Sequence, residues 1–413
     1  MVFRVLRTSH FRYFFLSEII SGFGVGMSTV GANWFLLDET DSSKLIGIML
    51  SVNVISGFLI SPFIGILTDK FNRKAMILWA YLVQAAVLIG ITSLFLWAGF
   101  HIWYLFLFAM VNGMGWTIYM STSRSLVQEL LPEKDLINGN SLTEISLQVG
   151  MFMAGAASGI LYKFFGFPFI LIVNSAAFMT SSIFLSRIRY TSMPIRDKEE
   201  SYILSFKNGI KYLMDRPKVF FLGVAAIIPL VTTMIYNVVL PEYVEDAVNG
   251  GSIVFGLTDM AYGIGGLLSG FIAAAIAKKL SNNITVALFF LVAVSILFVF
   301  SLNQYVWFLY LGSLLFGLCN SSLRILMNTT IMKKVSTSFM GRAMSVWMAI
   351  SLLMQTLFSS GIGLVVDRYY TGIGFVCLGA FMLLGLILHS FICLTTAVDK
   401  KTGNFERQDK ETG

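Results

Sequence analysis

Four ionisable residues sit inside long apolar runs: Glu18, Glu144, Asp259 and Arg324. A charge in hydrocarbon is costly, so each must face a protein interior or a wet cavity, where a carboxylate can take up and release a proton. Helical spacing sets the company each one keeps. Glu18 shares a face with Gly22, Gly26, Thr29 and Asn33, a small and polar stripe. Asp259 shares one with Gly263, Gly266 and Gly270, a seam for close helix contact. Glu144 aligns with Gln148, Gly155 and Gly159, and Arg324 with Gly317, Asn320, Ser321 and Asn328. Each acid is only about two turns from the end of its run, so bending outward to headgroup water is an alternative, purely structural role. Arg324 fits equally a counter-charge to one of the acids or a substrate contact.

A second charged feature is the stretch "GILTDKFNRK", residues 65–74, which packs Asp69, Lys70, Arg73 and Lys74 between two apolar runs. Lys70, Arg73 and Lys74 can serve as anchors at the headgroup level. Asp69 adds nothing to such anchoring unless it pairs with those cations or caps a helix.

The elements that position these groups follow from composition. Of the 413 residues 56% are hydrophobic and 12% charged, and twelve apolar stretches recur near 12–37, 45–69, 75–97, 101–124, 138–162, 166–187, 218–241, 252–277, 282–301, 304–331, 341–366 and 371–397. Each is long enough to cross a hydrocarbon core of roughly 30 Å as a helix. None alternates as a barrel strand would, and lipid offers an open backbone no partners. The expected fold is an all-α integral membrane protein with twelve transmembrane helices. Of the 29 Lys and Arg residues, all but Lys44, Lys163, Arg324 and Arg368 fall in segments that share one side with the N-terminus. The positive-inside rule makes that side, and both termini, cytoplasmic. The net charge of +7 is thus a topology signal; it forms no patch for nucleic acid.

Other function classes lack their residues. There is no phosphate-binding G-x-x-x-x-G-K-[ST], and "GFGVG" at Gly22 to Gly26 lies inside a span without the strand a dinucleotide site needs. His10, His101 and His389 are scattered, so no metal or other cofactor is expected and no enzyme site either. Cys319, Cys377 and Cys393 lie in apolar spans and are expected as free thiols. No small-residue cleavage site follows the first span, which is expected to be retained.

The chain divides into residues 1–188, a hydrophilic linker 189–217, residues 218–397 and a tail 398–413. The two large parts echo one another. Gly113 pairs with Gly317 and Gly159 with Gly363 at an offset of 204, Gly139 with Gly341 at 202, and Arg73 and Lys74 with Lys278 and Lys279 at 205. This points to a duplicated six-helix unit, two pseudo-symmetric halves with a substrate site between them.

"GILTDKFNRKAMI" resembles the signature G-x-L-a-D-r-x-G-r-k-x-x-l of the major facilitator superfamily, found at this same loop: Gly65, Leu67, Asp69, Arg73 and Lys74 match, Lys70 stands for the usual Arg and an αL-tolerant Asn72 for the usual Gly. "SRSLVQELLPEKDLINGNSL" (123–142) and "SFMGRAMSV" (338–346) are similar to loops of its drug and macrolide efflux branch, which includes siderophore exporters. The resemblance covers nearly the whole chain. It implies a monomeric secondary transporter of the cytoplasmic membrane, a proton-coupled exporter of amphipathic drugs such as macrolides or of a secondary metabolite. The alternatives are a lipid or lysolipid flippase, a siderophore exporter or, further off, a scaffold or receptor.

The same resemblance implies residue roles. Gly65, Asp69, Lys70, Arg73 and Lys74 would form a conformational gate. Glu18, Asp259 and Glu144 would be the candidates for proton coupling, Glu18 first because its helix lines the family's cavity, with the proton gradient as the energy source. The cavity-lining first, fourth, seventh and tenth spans offer Asn33, Trp34, Asn112, Trp116, Tyr119, Tyr236, Asn237, Asn320 and Arg324. Aromatic rings with scattered amides suit a bulky amphipathic solute. Three departures are visible: Asn112 stands where a proton-coupled exporter would have Arg, "GAASG" (155–159) lacks the antiporter signature's Pro, and Ala274 stands where the second loop copy would have Asp.

Overall fold

The structure, a computed structural model, describes residues 2–132, 135–189, 202–335 and 337–401, and among them every regular element is helical. A 3-10 turn (Val2–Arg7) leads into α1 (Ser9–Thr40), α2 (Ser43–Lys70), α3 (Arg73–Ala98), α4 (Ile102–Leu130) and α5 (Leu136–Ser186). Then come α6 (Tyr202–Met214), α7 (Pro217–Glu242), α8 (Ser252–Lys279), α9 (Asn282–Leu302), α10 (Val306–Lys334), α11 (Thr337–Arg368) and α12 (Gly372–Lys401).

Among the described residues, eleven helices are long and apolar enough to cross a membrane. The twelfth crossing is inside α5. Its 42-residue apolar section would run about 63 Å if straight, twice a bilayer core. Gly166 breaks it with φ 74° and ψ 177°, a conformation that a side chain would strain, two residues before Pro168. The chain then doubles back along α1. In the first limb Ser146 bonds Glu18 and Ser158 bonds the Met27 carbonyl; in the second, Asn174 bonds Ser28 and Ser181 bonds the Ser17 carbonyl. Within the expected linker 189–217 lies α6, whose Tyr212 ring stacks on Phe339 of α11 at 4.5 Å.

Large apolar side chains point outward all round the bundle. Trp97 is 88% and Trp307 81% exposed, and Phe271 80%. Patches of this kind belong in lipid, with the indole rings near its interfaces. The remaining apolar side chains gather into two clusters, one drawn chiefly from α1–α5 and one chiefly from α7–α12.

Glycines decide where helices touch. Gly113 of α4 lies on the Asn53 carbonyl of α2, and Gly317 of α10 on the Tyr262 carbonyl of α8; a Cβ would sit 1.9 and 2.1 Å from those oxygens. Gly159 of α5 meets the Ser252 carbonyl opening α8, and Gly363 of α11 meets the Ser43 carbonyl opening α2, at 2.2 and 2.6 Å. Residues matched at an offset of 204 therefore make matching contacts.

The two clusters join toward one end of the bundle, the end of the α1–α2, α7–α8 and α11–α12 connections. It carries Asp38, Glu39, Asp41, Glu242, Glu245, Asp246 and Asp367 and is called the acidic end below. There α5 meets α8 at Gly155 and Gly256, α2 meets α11 at Gly47 and Ser359, and Trp34 of α1 stacks on Phe255 of α8 at 5.4 Å. Farther along α8, a Cβ on Gly270 would meet nothing within 4 Å.

One side chain ties this closure to helix chemistry. The first N–H groups of α2 have no partners within the helix. Asp367, in the last turn of α11, supplies them from the other cluster: Oδ2 accepts from Ser42 Oγ at 2.7 Å, and both oxygens accept from the Lys44 N–H at 3.2 and 3.3 Å. A carboxylate is disfavoured at its own helix's C-terminus and favoured at another helix's N-terminus, so Asp367 is stabilised only while the two stay together. Loss of such a cap is worth roughly 1 kcal/mol, with a range of about 0.5–2. Asp367→Ala should therefore shift the balance away from the closed acidic end by about fivefold. Spin labels at Lys163→Cys and Gly251→Cys, in a background without the native cysteines, would report it as growth of a long-distance population; an unchanged distance distribution would refute the role.

Candidate functional site

Glu18 is 1% exposed and points into the space between α1, α4 and α5. Tyr119 Oη donates to its Oε1 and Ser146 Oγ to its Oε2, the latter at 2.9 Å. Tyr81 Oη donates to Ser21 Oγ at 3.0 Å, and Ser21 Oγ donates to the Glu18 carbonyl at 3.2 Å. A cavity of about 20 Å³, space for about one water, lies beside them, bordered by Ser21, Tyr81, Gln84, Trp116 and Tyr119. The carboxylate thus sits inward, without the outward bend to headgroup water. Gly22 and Gly26 from its stripe are the seam with α5, against Leu147 and Ala154.

The other first-half expectations divide. Trp116 packs beside Tyr119, with ring centroids 5.8 Å apart. Asn112 borders a neighbouring, smaller cavity with Gln84 and Asn174. Asn33 is buried, its Oδ1 without a donor among the described residues, and Trp34 belongs to the acidic-end closure. The Glu144 side chain lies outside the described residues.

A second polar column runs between α7, α8 and α10. Phe255, Asp259 and Tyr262 share one face of α8, spaced four and three residues apart. Asn320 Nδ2 donates to Tyr262 Oη at 2.7 Å and to Thr233 Oγ1 at 2.6 Å. Tyr236 is wholly buried, stacked on Tyr262 at 5.3 Å and bonded to Ser313 at 2.8 Å, so in this conformation it supports the column from behind. Asn237 is half-buried.

Asp259 is half-buried with its Oδ2 facing Gly155 of α5, 2.9 Å from where a Cβ would stand. Its expected glycine seam is divided among partners. Gly263 meets Phe152 of α5, Gly266 meets Ser321 of α10, and Gly270 meets neither. Arg324, one turn beyond Asn320, is exposed, and among the described residues the structure gives it no ion-pair partner. Sequence reading missed Tyr262, although its place three residues after Asp259 marked it as sharing that face.

At the opposite, basic end, Arg73 Nη1 pairs with Glu129 Oε1 of α4 at 2.7 Å, and both are largely buried. Lys74 Nζ donates to the carbonyls of Ser186 and Ile188 at 2.8 Å each, where α5 ends. These cations brace α3 against α4 and α5. Asn72 is the N-cap of α3, with extended φ and ψ of −62° and 119° and its side chain accepting from Ala75 N–H, so the expected left-handed role is replaced by capping. Gly65, Asp69 and Lys70 stand in the last turns of α2, but their side chains lie outside the described residues. Glu129 was also missed; like Asp69, it is an acid at the end where cations dominate.

Known proteins share this architecture. The chain is 18% identical over 341 residues to macrolide efflux protein A of Streptococcus pyogenes, covering 80% of this chain and 84% of that one. It is 24% identical over 291 residues to the putative bacilysin exporter BacE of Bacillus amyloliquefaciens, covering 69% and 71%. A solved structure of the nucleoside transporter NupG superposes with a TM-score of 0.75 at 14% identity, covering 93% of this chain and 99% of that one. The Major Facilitator Superfamily model matches residues 14–359 and 222–409. A match spanning both helical clusters, on a bundle with the same fold as a solved transporter, places the chain in that superfamily: it is a multi-pass membrane transporter and not an enzyme.

Proposed function

We propose that this transporter exports a small amphipathic solute, a drug or a self-made metabolite, across the cytoplasmic membrane in exchange for protons. The matching glycine contacts support two pseudo-symmetric halves, 1–188 and 218–397, joined by the linker 189–217 and followed by the tail 398–413. The excess of Lys and Arg at the basic end puts that end, and both termini, in the cytoplasm. The acidic-end closure is then the outer gate, and the conformation described here is sealed to the outside. The efflux relatives support outward transport, and the chain is read as working as a monomer.

The observation that carries proton coupling is Glu18. A carboxylate wholly buried inside a span, held by two hydroxyl donors, one of which, Tyr119, borders space for a water, has the surroundings of a proton carrier. Inward movement of one proton at about 100 mV supplies roughly 2.3 kcal/mol, plus the pH term. Tyr119 is thereby reassigned from solute contact to positioning the carboxylate. Trp116, Asn112 and the α7–α10 column remain the surfaces for solute, and Asp259 and Glu144 the further acids.

In a bacterium stripped of its own pumps, the wild-type protein should lower accumulation of ethidium or a radiolabelled macrolide, and a protonophore should abolish the effect. Glu18→Gln should abolish it too, whereas Tyr119→Phe, losing one hydrogen bond to a charged group worth about 1.5–3 kcal/mol, should retain part. Unchanged accumulation with the protein in the membrane would sink the drug-export reading. Protonophore-sensitive export by Glu18→Gln would move coupling to another acid.

Asp69 is read as part of the gate at the cytoplasmic end. Asp69→Asn should slow turnover while leaving membrane insertion intact. Normal transport by a normally expressed variant would remove that role.

A further inference from the structure

The two charges of the α7–α10 column stand without partners. Among the described residues neither Asp259 nor Arg324 has a hydrogen bond or ion pair to another side chain. Arg324 lies ten residues from the Lys334 end of α10, about 15 Å into the bundle by helical rise. An exposed guanidinium at that depth cannot face lipid without a large penalty, so it faces a wet interior. Asn320, one turn away on the same face, fixes the direction by bonding Tyr262 across the α8–α10 contact. Tyr262 lies within electrostatic reach of both Asp259 and Arg324.

The order along the column is Phe255, stacked under Trp34 at the closed end, then Asp259, then Tyr262 with Asn320, then Arg324. Asp259 is seven residues into α8 and Arg324 eighteen into α10. The rise along two helices running the same way, shortened by the reach of the arginine side chain, leaves the charges on the order of 10–15 Å apart. That is too far for a direct pair. It leaves an acid near the sealed end, a basic group toward the open end and an aromatic and amide wall between. Among the described residues Asn320 Oδ1, buried in that wall, likewise lacks a donor.

We infer that this column binds a solute carrying both charges, its cationic group at Asp259, its anionic group at Arg324 and its apolar middle along Tyr262. The inference rests on the reading of the bundle interior as the solute path, and it narrows the solute from amphipathic in general to one of mixed charge. Bidentate geometry favours a carboxylate or phosphate at the guanidinium, and the Asp259 carboxylate favours an ammonium by opposite charge.

The test uses binding to the purified full-length protein without any gradient, so it stands or falls separately from export. The probe is the tripeptide alanyl-phenylalanyl-alanine, chosen for charges about 10 Å apart when extended at roughly 3.3–3.6 Å per residue. Its N-acetylated form carries only the negative charge and its C-amidated form only the positive one. The free peptide should bind wild type at least tenfold more tightly than either capped form. Asp259→Asn should erase its advantage over the acetylated form, and Arg324→Gln its advantage over the amidated form. Arg324→Lys should restore part of the latter, which separates charge recognition from misfolding. Equal binding of all three peptides to wild type, no binding of any, or a uniform loss in both variants would overturn the inference. Charge-selective binding alongside failed efflux would keep it and discard the export reading.

Discussion

A polar group inside a bilayer has no water to fall back on, and that constraint organises the whole molecule. It forces the backbone into helices, and it forces every ionisable side chain at depth either to find donors and acceptors on another helix or to border a wet space. Glu18 takes the first course, enclosed by α1, α4 and α5 with Tyr119 and Ser146 on its oxygens. Arg324, exposed among the described residues, takes the second on the inference drawn above. Partners for such groups come from helices remote in sequence, so each satisfied charge also fixes a tertiary contact.

The glycines are the other side of the same constraint. Lipid gives no hydrophobic reason for two helices to associate, so contact depends on backbone approach and on small polar side chains. The α2–α11 and α5–α8 contacts are built this way, with Gly47, Gly363, Gly155, Gly159 and Gly256 bringing carbonyls to neighbouring helices and Ser51 shared among Ser359, Ser360 and the Gly47 carbonyl. Contacts of this kind are many and individually weak. They suit an interface that must open, where a dense aromatic core would hold it shut.

This explains what could be read from the chain alone. Spans are long runs of one composition, so twelve crossings were legible, including the turn at Gly166 that the gap between 162 and 166 anticipated. Repeated glycines were legible because a close backbone contact needs a glycine wherever it recurs, as at Gly113 and Gly317. Charges were legible as anomalies, which is how Glu18, Asp259 and Arg324 stood out. Their partners were not. Asp367 caps a helix more than 300 residues away, Glu129 pairs with Arg73 from the far end of the next helix, 56 residues on, and no local pattern encodes either. Phase analysis could place Gly22 and Gly26 with Glu18 on one face, but it could not say that this face would be occupied by α5.

The asymmetry between the ends is where these strands meet. At the acidic end α2 and α11, one from each apolar cluster, are joined by an acid that is unfavourable at its own helix's end and favourable at the other's start. At the basic end Arg73 and Lys74 hold α3 to α4 and α5, bracing those three helices against one another. Two helical clusters joined through a weak, composite contact are, on the proposed reading, a bistable element. A ligand moves such an element only by binding its two arrangements unequally. The column from Asp259 to Arg324 lies against that contact, for Asp259 abuts Gly155 where α5 crosses α8. If the column is the solute site proposed above, its occupation and the state of the acidic-end closure bear on the same few ångströms of helix packing.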